Sequence, residues 1–194
     1  MTTIAIVYHS GFGHTAKQAE AVGQGVDSVS GAKAILISVD KIEEHWATLE
    51  AADGIIFGSP TYMGGVSAPF KTFMDASSKP WYARAWKDKI AAGFTNSASQ
   101  SGDKLNTLVS LAVFAAQHGM IWVGLDILPG NNNSKGSVED LNRLGSFLGA
   151  MAQSNADQPA DVVPPSADLR TASVLGARVA ETAKRFAKVA VTAE

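Results

Sequence analysis

Three short stretches hold the residues whose types and spacing could do chemistry. The first is Ser10-Gly11-Phe12-Gly13-His14-Thr15. Gly11 and Gly13 let successive backbone N–H groups turn toward one point, and a helix starting there adds its positive end. Ser10 and Thr15 add hydroxyl donors. Such a loop is either a capped tight turn or a nest for a phosphate monoester, whose three terminal oxygens need several donors. A dinucleotide reading competes with both. Gly11, Gly13 and Ala16 satisfy G-x-G-x-x-A, and Asp40 stands near the end of the next apolar run, where a ribose-binding acid would sit. Against it, Tyr8-His9-Ser10 part the apolar run from the first glycine, and the two later stretches are more elaborate than that fold needs.

The second stretch runs from Gly58 to Ser67 and contains Pro60-Thr61-Tyr62-Met63-Gly64. Pro60 stiffens it, and Gly64-Gly65 allows backbone to approach a flat ligand. Tyr62 and Met63 offer an aromatic face and a polarizable thioether to a ring system; the alternative is a surface turn with one core aromatic. The third, Thr95 to Gly102, holds Asn96-Ser97-Ala98-Ser99-Gln100-Ser101-Gly102. It is small and polar, suited to the oxygen and nitrogen edges of a heterocycle or to a solvated connector. A phosphate nest, an aromatic-bearing loop and a polar loop together describe a site for flavin mononucleotide.

The elements that must position these stretches follow from hydrophobic patterning. Apolar runs at Ile4–Tyr8, Ala34–Ser38, Gly54–Gly58, Ile90–Phe94 and Met120–Val123 lack polar alternation, as strands buried on both faces do. Helical patterns lie between them. One runs from His14 to Gly31 with Ala16, Ala19, Val22 and Val26 on one side, where Gly23 and Gly25 either weaken the helix or permit close packing on the sheet. A short one covers Glu43 to Leu49. Another starts at an N-capping Ser67, with Phe70, Phe73 and Met74 inward. Further helices are expected over Ser101–Gln117 and Ala167–Ala190, the last with Leu175, Val179, Phe186 and Val189 inward. Between Asp126 and Pro165 the rhythm breaks. Ser137–Ala152 reads as a helix through Val138, Leu141, Leu144 and Leu148.

Alternating strands and helices predict an α/β fold, a doubly wound five-stranded parallel sheet in the order 2-1-3-4-5 with helices on both faces. Residues 1–194 are read as one domain, with 126–165 inserted before the last helix. That order places the ligand crevice between strands one and three, where the three stretches converge. Net charge is −2, which gives no case for nucleic acid or an anionic membrane surface. With no cysteine, thiol catalysis and thiolate metal sites are excluded, and no metal-ligand cluster is apparent. The uncharged stretch Leu105–Leu125 is broken by Gln117-His118-Gly119, which argues for a helix and then a strand over a membrane span. No signal-like segment opens the chain, so the expected compartment is the cytoplasm.

The motifs Ser10–Thr15, Gly58–Gly64, Phe73-Met74-Asp75, Thr95–Gly102 and His118-Gly119-Met120 resemble those of the flavodoxin-like NAD(P)H:quinone oxidoreductases of the WrbA type. The resemblance runs from the N-terminus to about Gly124 and includes the C-terminal helix. It implies that Ser10, Gly11, Phe12, Gly13, His14 and Thr15 hold the FMN phosphate. It implies that Pro60, Thr61, Tyr62, Met63 and Gly64 border the isoalloxazine, with Asn96, Ser97, Ala98, Ser99, Gln100, Ser101 and Gly102 along its other edge. Trp81 falls where the family has a tryptophan near the face open to substrate. His118 falls where it has a histidine near the flavin, contributed by a neighbouring subunit.

The implied activity is two-electron transfer from NAD(P)H through FMN to a quinone, in a homodimer or homotetramer. Trp81 and His118 are the candidate catalytic residues. Their alternatives are core or interface packing for Trp81 and helix C-terminal capping for His118. A flavodoxin-type carrier that binds FMN without NAD(P)H turnover is the competing function; the weak net charge disfavours it, because carriers are steered to basic partners. The family's insertion after the second strand is largely missing here, and Phe12 replaces a tyrosine often found in the phosphate loop.

Overall fold

The structure, a computed structural model, describes the backbone of residues 1–191 and the side chains of residues 1–187. Its elements are β1 (Thr2–Tyr8), α1 (His14–Asp27), β2 (Ala32–Ser38), a 3-10 turn (Val39–Glu44), α2 (Trp46–Ala51), β3 (Gly54–Tyr62), β4 (Gly65–Val66), α3 (Ala68–Ala76), α4 (Ser78–Tyr82), β5 (Ile90–Ser97), α5 (Lys104–Gln117), β6 (Ile121–Trp122), β7 (Ala150–Gln153) and α6 (Ser166–Val191).

The parallel sheet runs β2-β1-β3-β5 and ends on an edge shared by β6 and β7. The expected order 2-1-3-4-5 is therefore present, with its fifth position split in two. β6 pairs with Ile90–Ala91 at the start of β5, and β7 pairs with Phe94–Ser97 at its end. Side chains from the same strands fill two layers. Ile4, Ile6, Ile56 and Phe94 pack with α1 and α6, whereas Ala5, Val7, Ile55 and Phe57 pack with α3, α5 and Trp86. This is why the strands are apolar throughout: each successive residue meets a different helical layer.

Four expectations need correction. Ser137–Ala152 is not a helix. Asn142 and Gly145 adopt positive φ, and the Asn142 side chain donates to the carbonyls of Ile127 and Ser146 while accepting from the Ser146 N–H. Those bonds satisfy the backbone locally, and the chain then enters β7. The short helix after β2 is a 3-10 turn followed by α2, which starts three residues and ends two residues further on than expected. Phe186 is half-exposed, and Ala183 takes the inward position instead; the Val189 side chain lies outside the described residues. Finally, Gly25 approaches a helix, not the sheet: a Cβ there would sit 1.8 Å from the Ser173 carbonyl oxygen of α6, while one on Gly23 would meet Leu36 at 2.9 Å. The reciprocal contact is at Gly176, where a Cβ would fall 2.0 Å from the Val22 carbonyl oxygen. No helix among the described residues is long and apolar enough to cross a membrane.

Candidate active site

β3 and β5 both run further than their apolar cores. The ladder continues through Ser59–Thr95 and Pro60–Asn96, so the residues expected in loops two and three begin as strand. Pro60 is tolerated in this central strand for a geometric reason. Gly58 accepts from the His9 N–H on the β1 side, and Pro60, two residues on, faces the same side after β1 has ended. Polar groups on these strand ends satisfy one another. The Thr61 hydroxyl lies 2.8 Å from the hydroxyls of both Thr95 and Thr107, which ties β3, β5 and α5 together. Ser67 stands at the N-cap of α3 as expected, but its hydroxyl makes no capping bond and is directed to His9 Nδ1 at 2.9 Å, beside Ser59. Burial lowers the His9 pKa, and Asp40 only partly opposes it.

A cavity of about 240 Å³ opens at the carboxyl ends of these strands. That is just under the usual range of roughly 300–1,000 Å³ for ligand pockets, so a ligand of cofactor size would extend over the rim. Its walls include Ser10, Phe12, His14 and Thr15 from the first stretch, Pro60, Thr61 and Tyr62 from the second, and Asn96, Ser97 and Ala98 from the third. Gly11 and Gly13 shape the loop. Tyr62 closes over it: a Cβ on Gly11 would lie 2.7 Å from the Tyr62 hydroxyl, and Phe12 meets the Tyr62 ring edge-on.

Other expected residues are not brought to the cavity wall. Met63 and Gly64 form a two-residue turn, both at positive φ, between β3 and the antiparallel β4, and the Met63 side chain is fully exposed. Ser99, Gln100, Ser101 and Gly102 form the turn behind Ala98. Trp81 and His118 lie at the opposite, amino-terminal edge of the sheet. Trp81 stands on α4, 45% exposed. His118 ends α5 beside Gly119, whose carbonyl accepts from the Asp88 N–H two residues before β5 begins. Its ring is buried, stacks on Trp86 and lies 2.9 Å from the Ser77 hydroxyl through Nε2. The ring thus neither caps its helix nor reaches the cavity within this chain.

Two parts of the site were not legible in the sequence, the first being the segment after β7. Ser154 and Ala156, just after β7, complete the wall. The Ser154 hydroxyl donates to Asn96 Oδ1 and its N–H to the Ser97 carbonyl. The second is Lys104, buried beneath the third stretch. The only signal for Ser154 was the apolar run before it, which matches a helical period.

The donor set fits a phosphate-bearing heterocycle. No described residue accepts a hydrogen bond from the backbone N–H groups of residues 11 to 15, which leaves them free at the start of α1. The Ser10 hydroxyl holds the loop by accepting from the Ala16 N–H, and His14 Nε2 donates to the Gln158 carbonyl. Among the described residues, no Asp, Glu, Lys or Arg lines the cavity. These features suit FMN: backbone donors for the phosphate, Tyr62 for a ring face, and the amide of Asn96 for a heteroatom edge.

Comparison with known proteins agrees with this geometry. Residues 16–133 match the family described as NADPH-dependent FMN reductase. The chain is 43% identical to flavodoxin FldP of Pseudomonas aeruginosa, over 96% of this chain and 99% of that one. It is 32% identical to an NAD(P)H dehydrogenase (quinone) of Archaeoglobus fulgidus, over 96% and 100% respectively. Its fold superposes on a flavodoxin, WrbA-like protein from Agrobacterium tumefaciens with a TM-score of 0.75 and 44% identity, covering 95% of this chain and 99% of that one. The sheet order, the cavity at its switch point and these matches together make the chain a member of the WrbA-type, flavodoxin-like oxidoreductase family.

Proposed function

We propose that the chain binds FMN in this cavity and transfers two electrons from NAD(P)H to a quinone. The observation that carries the reading is that the loop with partnerless backbone N–H groups, Tyr62 and Asn96 meet at one cavity whose described lining holds no Asp, Glu, Lys or Arg. FMN, when bound, would supply the hydride chemistry; the chain supplies position and electrostatics. The loop from Ser10 to Thr15 would hold the phosphate. Pro60, Thr61 and Tyr62 would border the ring, and Asn96, Ser97 and Ala98 its other edge. Met63, Gly64 and the turn from Ser99 to Gly102 would act from the rim.

Trp81, half-exposed at the far edge of its own sheet, is proposed to meet a flavin only across a contact between subunits; His118, buried against Trp86, would have to leave that stack to do the same. Exposed Leu105, Val109 and Val113 on α5 support a homodimer or homotetramer. The packing of α6 on α1 supports reading residues 1–194 as one unit. A need for NAD(P)H supports a cytoplasmic location.

The name of the Pseudomonas relative favours a second reading, a carrier that binds FMN without nicotinamide turnover. One experiment separates the two. Purified protein loaded with FMN is expected to oxidise NADH or NADPH when benzoquinone is present. FMN uptake without such turnover would establish the carrier, and failure to take up FMN would remove both readings.

A further inference from the structure

Lys104 is the most deeply buried cation among the described residues, at 1% exposure. Its Nζ donates to the Ser97 hydroxyl at 2.8 Å and to the carbonyls of Ser99 and Gln100 at 2.8 and 2.7 Å. All three acceptors are neutral. The charged groups facing it are Asp168 of α6 and Arg143 of the segment before β7. These are committed to each other, because Arg143 grips both Asp168 oxygens at 2.7 and 2.8 Å. The Gln153 N–H also donates to Asp168. Three charges therefore sum to one buried, uncompensated positive charge.

The position makes that charge more unusual. Lys104 is the first residue of α5, where the helix's own positive end disfavours a cation. A buried ammonium without a counter-ion is costly, and mere bracing of a turn could be done by a neutral donor. The turn it braces, however, carries Ser97 and Ala98 into the cavity wall. An anion on the other side of that turn would supply the missing countercharge.

We propose that Lys104 tunes the flavin: lying one residue layer beneath the Ser97–Gln100 turn, its ammonium stabilises the negative charge that FMN gains on reduction and so raises its reduction potential. This rests on the FMN reading above. Hydride uptake adds two electrons and one proton to the ring, which is one net negative charge. Lys104 touches neither ring nor substrate in this arrangement; it positions the turn and supplies field across it. Its own pKa is lowered to about 8, chiefly by burial and further by Arg143, with Asp168 opposing. The group is thus charged at neutral pH and close to losing that charge.

The test compares Lys104→Gln, which keeps hydrogen-bond donors without charge, with Lys104→Arg, which keeps the charge. Affinities for oxidised and reduced FMN are measured together with the potential of the bound cofactor. In Lys104→Gln the preference for reduced over oxidised FMN is expected to fall at least tenfold, which is about 30 mV for a two-electron couple. Lys104→Arg should stay within about threefold of the parent. A brace without electrostatic effect would weaken both redox forms alike and leave the potential unmoved, which overturns the proposal. Should Lys104→Gln fail to fold, the unmodified holoprotein still decides. Its potential should fall more steeply with pH above about 8, where reduction would take up an extra proton on Lys104, and a constant slope overturns the proposal. Failure of the parent protein to take up FMN would instead refute the cofactor reading.

Discussion

The imidazole of His118 stacks on the indole of Trp86 with centroids 4.1 Å apart and planes 28° from parallel. Phe114 meets the same ring edge-on, and Ser77 holds its Nε2. Burial, with Arg84 adding, lowers the His118 pKa to about 4. Between about pH 6.5 and 4 the unfolded chain therefore binds a proton that the folded chain refuses, so stability falls as pH falls through that window. The differential is roughly 3 kcal/mol at 1.36 kcal/mol per unit. Urea unfolding of the parent and of His118→Phe at pH 7.5 and 4.5 checks this. The parent should lose more, and equal losses would show that His118 is not the sensor.

Thr15 is 2% exposed and lines the cavity at the end proposed to hold the phosphate. Thr15→Val keeps the shape and removes the hydroxyl. FMN is expected to bind about tenfold more weakly, in line with roughly 1.5 kcal/mol for a hydrogen bond to a charged group. The absorption spectrum of flavin still bound should not change. Fluorescence titration with FMN reads the affinity, and an unaltered Kd would remove Thr15 from the phosphate site.

Lys104 also has a consequence for the protein without cofactor. Its folded pKa of about 8 lies below the ordinary lysine value of 10.5. As pH rises from 8 toward 10.5 the folded chain sheds a proton that the unfolded chain keeps, so this group's penalty on stability is relieved in that window. The stability difference between the parent and Lys104→Met should shift in the parent's favour from pH 7.5 to 10. Parallel pH curves for the two proteins would contradict it.

Gly25 and Gly176 let α1 and α6 approach until backbone touches backbone. Alanine is the better helix former by up to about 1 kcal/mol, so propensity alone predicts that Gly25→Ala stabilises. The 1.8 Å approach to Ser173 predicts the reverse. A net loss of about 2 kcal/mol is expected, with Tm lower by roughly 4–8 °C for a chain of this size. A raised Tm in calorimetry would show that the helices can part without cost.

The framework was legible because it is written in uninterrupted apolar runs. Ile4–Tyr8 and Ile90–Phe94 have no other economical reading, and the crevice follows from sheet order. The misses share a cause. Leu141, Leu144 and Leu148 repeat at helical spacing, but Asn142, Gly145 and Gly149 between them spend their backbone groups on turns and close approaches. β7, Ala-Met-Ala-Gln, has no strand propensity of its own and is a strand because Phe94–Ser97 offer an open ladder. Ser154 could be found only after that. Pro60–Tyr62 and Thr95–Ser97 read as loop because they are small and polar; the three-threonine contact that lets them continue as strand spans 46 residues of sequence. Lys104 gave no signal at all, since a lysine beside an exposed turn is ordinarily solvated.

The split fifth strand makes the two borders of the sheet unequal. One border is β2, seven residues of continuous ladder with Lys33 exposed along it. The other is two residues of β6 and four of β7, separated by the whole excursion from Val123 to Gly149. An incoming strand finds no unbroken row of amides on that second border, and short pieces of this kind are poor templates for edge-to-edge growth. The cavity-wall residues Ser154 and Ala156 follow directly on this interrupted border. Strand addition from another molecule, as in misassembly on overexpression, is left to the β2 border, with a lysine standing against it.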